Sequence, residues 1–326
     1  MKQILVISHS EDGTSKLLMK RLDEIGETYS LLDLSLFPKE CYGTIGYSSE
    51  LSFLFEQRTG AFNQDNVKSV WWRRPMGKFK KEAQDSLSQY IRMESDMFVR
   101  SLFYLLPSDV KWVSDPDSTR IANSKPLQLK VAQDCGLRIP KTVISNDPLS
   151  VSIFIRNNHG MSMIMKPVGT CLYRANEKEG GNRTIYTRVI DEETILKVVE
   201  QVKVCPVIFQ EAILNKVDLR STIVGDEVFT VSITHERDLG AGDDNLDWRN
   251  HKLERIYKPY ELPVDVQRKL IKVVQGLGLR FGVADLCITE AGEYCFFEVN
   301  PQGQWGPSEL VAGLPISTAL AKFLAS

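Results

Sequence analysis

The sequence predicts an α/β fold whose C-terminal part is α+β, and two patterns carry that prediction. The first lies at the start of the chain. An apolar run "ILVIS" (4–8), an amphipathic "TSKLLMKRLDEIG" (14–26) ending in glycine and a second apolar run "YSLLDLS" (29–35) follow one another. Strand, helix, strand in this order is the opening of a mostly parallel sheet with helices packed on it. The second lies beyond residue 200, where strands succeed strands: "PVIFQEAI" (206–213), "VDLRSTIVGDEVFTVSI" (217–233) turning at Gly225-Asp226, and a hairpin "GVADLCITEAGEYCFFEVN" (282–300).

The elements between follow in order. "VKSVWWRRP" (67–75) reads as a strand stopped by proline, residues 80–106 as a long helix closed by Pro107, and "VKWVSDP" (110–116) as a last strand. These make a first unit, 1–117. "NSKPLQLKVAQDCGLRIPKT" (123–142) reads as a helix stopped at Gly136 and the start of a strand, and "MSMIMKPVGT" (161–170) as a strand. "CLYRANEKEGGNRT" (171–184) is polar and glycine-bearing, a mobile loop or exposed hairpin. A second unit therefore spans 118–200, and a third spans 201–326 with a loop at 238–252 and helices at 264–279 and 315–325.

Composition narrows the function. The chain has 326 residues, 43% hydrophobic and 25% charged, with 40 basic against 42 acidic side chains and a net charge of −2. That balance gives no overall attraction to nucleic acid or to an anionic membrane. No apolar run is long enough to span a bilayer. Six scattered cysteines without a C-x-x-C pair point to reduced thiols and a cytosolic protein, and four distant histidines to no Cys/His metal cluster.

The hairpin offers the sharpest chemistry. With "EAGE" (290–293) as its loop, Thr289 faces Tyr294, Cys287 faces Phe296 and Asp285 faces Glu298. Side chains alternate along a strand, so these share a face, which Asn300 joins. Opposed Cβ atoms lie about 4.5–5.5 Å apart, and two carboxylates at that distance repel. A cation removes the repulsion, and hard oxygen ligands with room for phosphate suit Mg²⁺. The alternative is a Glu298 on a solvated edge and an Asn300 that merely begins a turn.

Other residues fit an anion site less specifically. Lys166 ends a buried strand and either meets an anion or reaches out to solvent. Lys125 opens a helix. Gln210, Glu211, Ala212 and Ile213 sit where a strand end offers backbone groups to an adenine edge. Asp218 lies seven residues after Glu211 and can accept from ribose hydroxyls. Arg220 shares a face with Asp218, and the two form either a surface pair or a grip on phosphate or carboxylate. No P-loop and no nucleophile–base constellation is present.

Taken in order, Lys125, Lys166, "QEAI", Asp218, Asp285 and "FFEVN" resemble the ATP-grasp ligases, along the chain from residue 1 to its C-terminus. The resemblance implies an N-terminal pre-ATP-grasp domain, with central and C-terminal domains clasping ATP. Lys125 and Lys166 would contact ATP phosphates, and Glu211 with the 212–213 backbone the adenine. Asp218 would meet the ribose, and Asp285, Glu298 and Asn300 would hold two Mg²⁺ ions.

The narrower motifs "VWWRRP", "VDLRSTIVGDEVF", "LDWRN" and "EVNPQGQW" resemble the graspetide synthetases of the microviridin type. Such enzymes use ATP to join Asp or Glu side chains of a ribosomally made precursor peptide to Thr/Ser hydroxyls or Lys amines, and a leader segment recruits them. A homodimer is also implied. Many ATP-grasp ligases carry an arginine two residues before the first metal-binding acid, where this chain has Val283. Arg220 and Arg249, both inside the narrower motifs, are then the candidates to orient an acyl phosphate. The loop bearing Arg174 would close over phosphate and peptide, or contact the leader. Arg73 and Arg74 either face the cleft toward an acidic peptide or tie the N-terminal unit down. The rival functions are a ligase adding glutamate to a protein or small acceptor, and an ATP-binding regulator.

Overall fold

The computed structural model describes residues 2–58, 60–75, 86–169, 172–174, 182–184, 188–235 and 255–326. The N-terminal unit begins as predicted. Strand β1 (Gln3–Ile7) is buried along its whole length, helix α1 (Gly13–Glu24) buries Leu18 and Leu22 one turn apart, and Gly26 ends it at φ +73°. Strand β2 (Tyr29–Leu32) pairs parallel to β1, and its predicted last residues form a 3₁₀ turn at Leu34–Leu36.

Residues 41–63, unassigned by the sequence reading, form a separate antiparallel sheet of β3 (Cys41–Tyr47), β4 (Leu51–Gln57) and β5 (Gly60–Asn63). Strand β6 (Val67–Trp72), helix α2 (Ser86–Tyr104) and the short β7 (Lys111–Trp112) complete the unit, whose parallel sheet has the order β2-β1-β6-β7. The strand expected at 110–116 is cut to two residues because Asp115 caps a new helix, α3 (Pro116–Ala122), with its carboxylate on the amides of Asp117 and Ser118.

Helix α4 (Lys125–Asp134) precedes β8 (Thr142–Ser145), α5 (Pro148–Asn157), β9 (Met163–Pro167), a backbone hairpin of β10 (Leu172–Arg174) with β11 (Asn182–Thr184), β12 (Arg188–Ile190) and α6 (Glu192–Val198). Strand β13 (Val207–Glu211) was assigned to the third unit by its sequence position, but its partners are β8 and β9. Sheet order here is β12-β9-β13-β8, so the chain changes sheets across 212–216. Periodicity marks a strand but not its neighbour.

The last sheet has the order β16-β15-β14-β17-β18 and is antiparallel throughout. Its strands are β14 (Val217–Val224), β15 (Glu227–His235), β16 (Arg255–Pro259), β17 (Phe281–Ile288) and β18 (Tyr294–Asn300). Helix α7 (Val264–Gly276) covers one face, its Val266, Leu270, Val273 and Val274 packing with Leu219, Ile223, Ala284, Leu286, Phe296 and Val299. The opposite face is divided. Val224, Phe281 and Val283 join Ile4, Val6, Leu18 and Trp71 of the N-terminal unit in one core, together with helix α9 (Ile316–Ala325). Asp218, Arg220, Asp285, Glu298 and Asn300 occupy the remainder of that face by strand alternation.

Between β18 and the short helix α8 (Gly306–Leu310), residues 301–305 fold back over Val283. A Cβ on Gly303 would lie 2.3 Å from the Cβ of Val283, which no backbone tolerates without moving. Trp305 is fully buried in the shared core and anchors the far end of the turn. Gly303→Ala should therefore lower stability by about 1–3 kcal/mol, the usual cost of overpacking. Adding Val283→Ala removes the Cγ2 contact at 2.6 Å but keeps the clashing Cβ, so it should return little of the loss, as thermal unfolding of the single and double variants will show.

Candidate active site

Three strands bring the central residues into one row. Arg220 on β14 is the register partner of Asp285 on β17, and Asp285 is the register partner of Glu298 on β18. The next row toward the shared core is Thr222, Val283 and Asn300. The expected Asp285–Glu298 pairing is thus present, but by a different route. At the hairpin tip Ile288 pairs with Tyr294, Cys287 with Cys295 and Leu286 with Phe296, one residue out of the predicted register. A bulge between Asp285 and Leu286, with Phe297 as the extra residue, restores the alignment at the carboxylates. The two thiols so paired are buried, and their contact together with burial pushes the Cys287 thiol up.

The row is electrostatically built. Arg220 Nη1 donates to Asp285 Oδ1 at 2.6 Å, both side chains being under a tenth exposed. Arg220 Nε and Nη2 both donate to the carbonyl of Gln304 at 3.1 Å. Lys216, which the sequence reading passed over, places its ammonium on Asp218, and both side chains are a tenth exposed or less. Its signal was the i, i+2 spacing from Lys216, just before β14, to Asp218 on it, indistinguishable by pattern from a solvated pair.

Behind β18 stands Gln128 of α4. Its Nε2 donates to the Val299 carbonyl at 2.8 Å and its Oε1 accepts from the Val299 amide at 2.9 Å. The side chain thus completes the hydrogen bonding of the residue between Glu298 and Asn300, as a further strand would. A buried glutamine in an amphipathic helix gives no such indication in sequence.

The remaining predicted residues are placed as follows. Lys125 is the first residue of α4, and its Nζ donates to the Pro167 carbonyl at 2.9 Å, beside Lys166 at the end of β9. Gln210 is buried, with Nε2 on Thr142 Oγ1 at 2.8 Å. The Glu211 carboxylate accepts from Arg138 at 3.2 Å and from the Lys141 amide at 3.1 Å. The Ala212 amide donates to the Ser162 carbonyl at 2.8 Å, and Ile213 packs with Cys287, Cys295 and Phe297 beside Asp218. Arg249 and the side chain of Arg174 lie outside the described residues.

Arg73 corrects one of the two readings offered for it. Its side chain is wholly buried, so it does not face a cleft toward a peptide; it ties units together. Nη1 donates to the carbonyls of Gln302 and of Gly303, the latter at 3.1 Å, and Nη2 to Gln304 Oε1 at 3.0 Å. Thr14 Oγ1 donates to the same Oε1 at 2.7 Å. Behind it, Asp12 Oδ2 lies 3.4 Å from Arg73 Nε and accepts from Ser15 at 2.7 Å and Ser8 at 3.1 Å. Burial pushes the Arg73 guanidinium down to about 10, against the pull of Asp12, and nearby Arg74 and Arg220 add to the depression. Arg74 itself is half-buried, with its amide on the Ile7 carbonyl.

Two carboxylates and a carboxamide on one face, all hard oxygen donors, fit Mg²⁺, which retains waters and takes phosphate oxygens. Among the described residues no cluster of three or more His, Cys, Asp or Glu exists that would suit a metal held by protein alone. Nor is any helix among them long and apolar enough to cross a membrane.

Residues 3–120 match the family model described as the MvdD pre-ATP grasp domain. Solved structures extend the likeness along the whole chain. Macrocyclase MdnC bound with precursor peptide MdnA, from Microcystis aeruginosa MRC, is 26% identical with a TM-score of 0.82, over 99% of both chains. The chain has the ATP-grasp fold. The Chryseobacterium gregarium RiPP-associated ATP-grasp ligase, in complex with ADP and a leader and core peptide, is 24% identical with a TM-score of 0.83, over 100% of this chain and 97% of that one. ATP-grasp ligase PsnB, complexed with a phosphomimetic variant of its minimal precursor, Mg and ADP, is 21% identical with a TM-score of 0.74, over 100% and 98%. No curated protein matches. The resemblance read from the sequence, to ATP-grasp ligases of the macrocyclase kind, is borne out, and with it the mixed α/β architecture.

The Asp12 carboxyl yields a pH test. Burial alone would raise its pKa, but the Arg73 charge, hydrogen bonds from Ser15 and Ser8, and Arg74 outweigh burial and hold it below the ordinary carboxylate value. A depressed folded-state pKa contributes stability that is complete above the unfolded value, about 3.9, and is lost as pH falls through the folded value. Asp12→Asn should lower stability at pH 7 and flatten its decline below about pH 4, as denaturant unfolding across pH will show.

Proposed function

We propose that this chain is an ATP-dependent ligase that activates Asp or Glu side chains of a ribosomally made precursor peptide as acyl phosphates. It then joins them to Thr/Ser hydroxyls or Lys amines of the same peptide. The observation that carries this is the Arg220–Asp285–Glu298 row, in which a carboxylate-binding cation is built directly beside a divalent-metal donor set. The likeness to peptide-bound macrocyclases along nearly the whole chain supports it.

In this reading Lys125 and Lys166 bind the ATP phosphates, and Gln210, Glu211, Ala212 and Ile213 line the adenine side. Asp218, set by Lys216, accepts from the ribose hydroxyls. Asp285, Glu298 and Asn300 hold Mg²⁺, two ions as in the resemblance. Bound there, the metal neutralises phosphate oxygens and fixes their position. Arg220 orients the peptide carboxylate in line with the γ-phosphorus, with Arg249 as its partner, while Arg74 and Arg174 attract the acidic peptide. The carboxylate displaces ADP to give the acyl phosphate, and a hydroxyl or amine of the peptide then displaces phosphate. Positioning and charge do the work, so no protein nucleophile is required. The enzyme acts in the cytosol as a homodimer.

The decisive experiment presents the enzyme with Thr- and Glu-bearing candidate precursor peptides, with ATP and Mg²⁺. The peptide should lose one water per crosslink as ADP and phosphate appear. A gain in mass with free glutamate would establish the glutamate-adding ligase instead. Glu298→Gln, which removes a charge and no core volume, should abolish crosslinking with unchanged thermal unfolding. Full activity in that variant would remove the metal assignment.

A further inference from the structure

The buried Arg73 and the 302–304 turn lie outside the proposed chemistry, yet they touch it through one atom. The Gln304 carbonyl is the shared acceptor for two donors of Arg220. The turn that presents this carbonyl is held from its other side by Arg73, on the carbonyls of Gln302 and Gly303 and on Gln304 Oε1, and by Thr14 on the same Oε1. An arginine can only donate, so the Gln304 carboxamide is locked with its oxygen toward Arg73. Both holding residues belong to the N-terminal unit. Thr14 is in the first turn of α1, and Arg73 directly follows β6.

We propose that Arg73, Thr14 and Gln304 form a clamp that positions Arg220, so that the N-terminal unit sets the geometry of the reacting edge. With Nε and Nη2 held on the Gln304 carbonyl, Nη1 is the donor that meets Asp285 Oδ1. Released from that carbonyl, the planar guanidinium can turn both forks onto Asp285, a bidentate pairing that competes with a metal ion for the carboxylate and withdraws Arg220 from substrate. The clamp is distinct from the catalytic residues because it touches neither Asp285 nor Glu298.

The inference rests on the reading of Arg220 and Asp285 given above, and the test separates the two. Thr14→Val keeps volume and drops the hydroxyl; Gln304→Ala alters an exposed side chain and leaves its carbonyl in the chain. Thr14→Ser retains the donor. Two quantities are measured on the full chain: ADP affinity by calorimetry in EDTA and in Mg²⁺, and crosslinking of the precursor peptide. Thr14→Val and Gln304→Ala should keep thermal unfolding and ADP affinity in EDTA near wild type. They should lose about 10- to 100-fold in crosslinking kcat, the range found when groups that orient metal ligands are removed, and lose most of the Mg²⁺-dependent gain in ADP affinity. Thr14→Ser should restore both.

An unchanged Mg²⁺ gain in Thr14→Val and Gln304→Ala would overturn the clamp, as would a loss that appears equally in EDTA and in unfolding, the mark of a merely structural role. If the wild-type chain shows the Mg²⁺ gain but crosslinks no peptide, the proposed reaction falls and the clamp is still judged by the Mg²⁺ comparison.

Discussion

The Arg220–Asp285 ion pair is the interaction on which the rest of the site depends. Both groups are nearly buried, and a buried pair gains little unless every remaining donor is also met. Two donors of Arg220 are met by one main-chain carbonyl, that of Gln304. That carbonyl is available because the chain reverses immediately after β18 and lies down on Val283, which it can do only with glycine at 303. The missing arginine at 283 is accounted for in the same way. The space a long side chain would need is filled by the turn, and the positive charge near Asp285 comes from the neighbouring strand.

One sheet face serves two purposes because polarity changes along its strands. On β14 the inward residues run Asp218, Arg220, Thr222, Val224, and on β17 Asp285, Val283, Phe281, so charge gives way to apolar surface over three or four positions. The apolar end packs against the N-terminal sheet and α9, while the polar end carries the candidate ligands. The unit that opens the chain is therefore part of the scaffold of the candidate site. Arg73 crosses that boundary as a buried guanidinium with oxygen acceptors from Asp12 to Gln304, which offset its desolvation and its repulsion by Arg220.

Much of this was legible in the residues. The β-α-β start, the helix stop at Gly136, the turn at Gly225 and the closing hairpin follow from periodicity and glycine placement, which are local properties of the chain. Asp285, Glu298 and Asn300 share a face because alternation fixes faces, and their acids oppose each other as expected. The register that delivers this was misjudged, since a bulge at Phe297 is an adjustment between strands and leaves no mark in either one alone. The three-stranded sheet at 41–63, whose strands mix polar and apolar residues, also escaped the pattern.

The sequence by itself determined the β-α-β start and the closing hairpin, which carboxylates stand together, and the family resemblance carried by short ordered motifs. Tertiary structure alone decided that β13 belongs to the central sheet, that Gln128 completes the edge of β18, and that Arg73 turns inward to grip the 302–304 turn. Each of these joins residues 40 or more positions apart through hydrogen bonds to main-chain or side-chain amides. Such bonds depend on where distant parts of the chain meet, so composition and spacing hold no record of them.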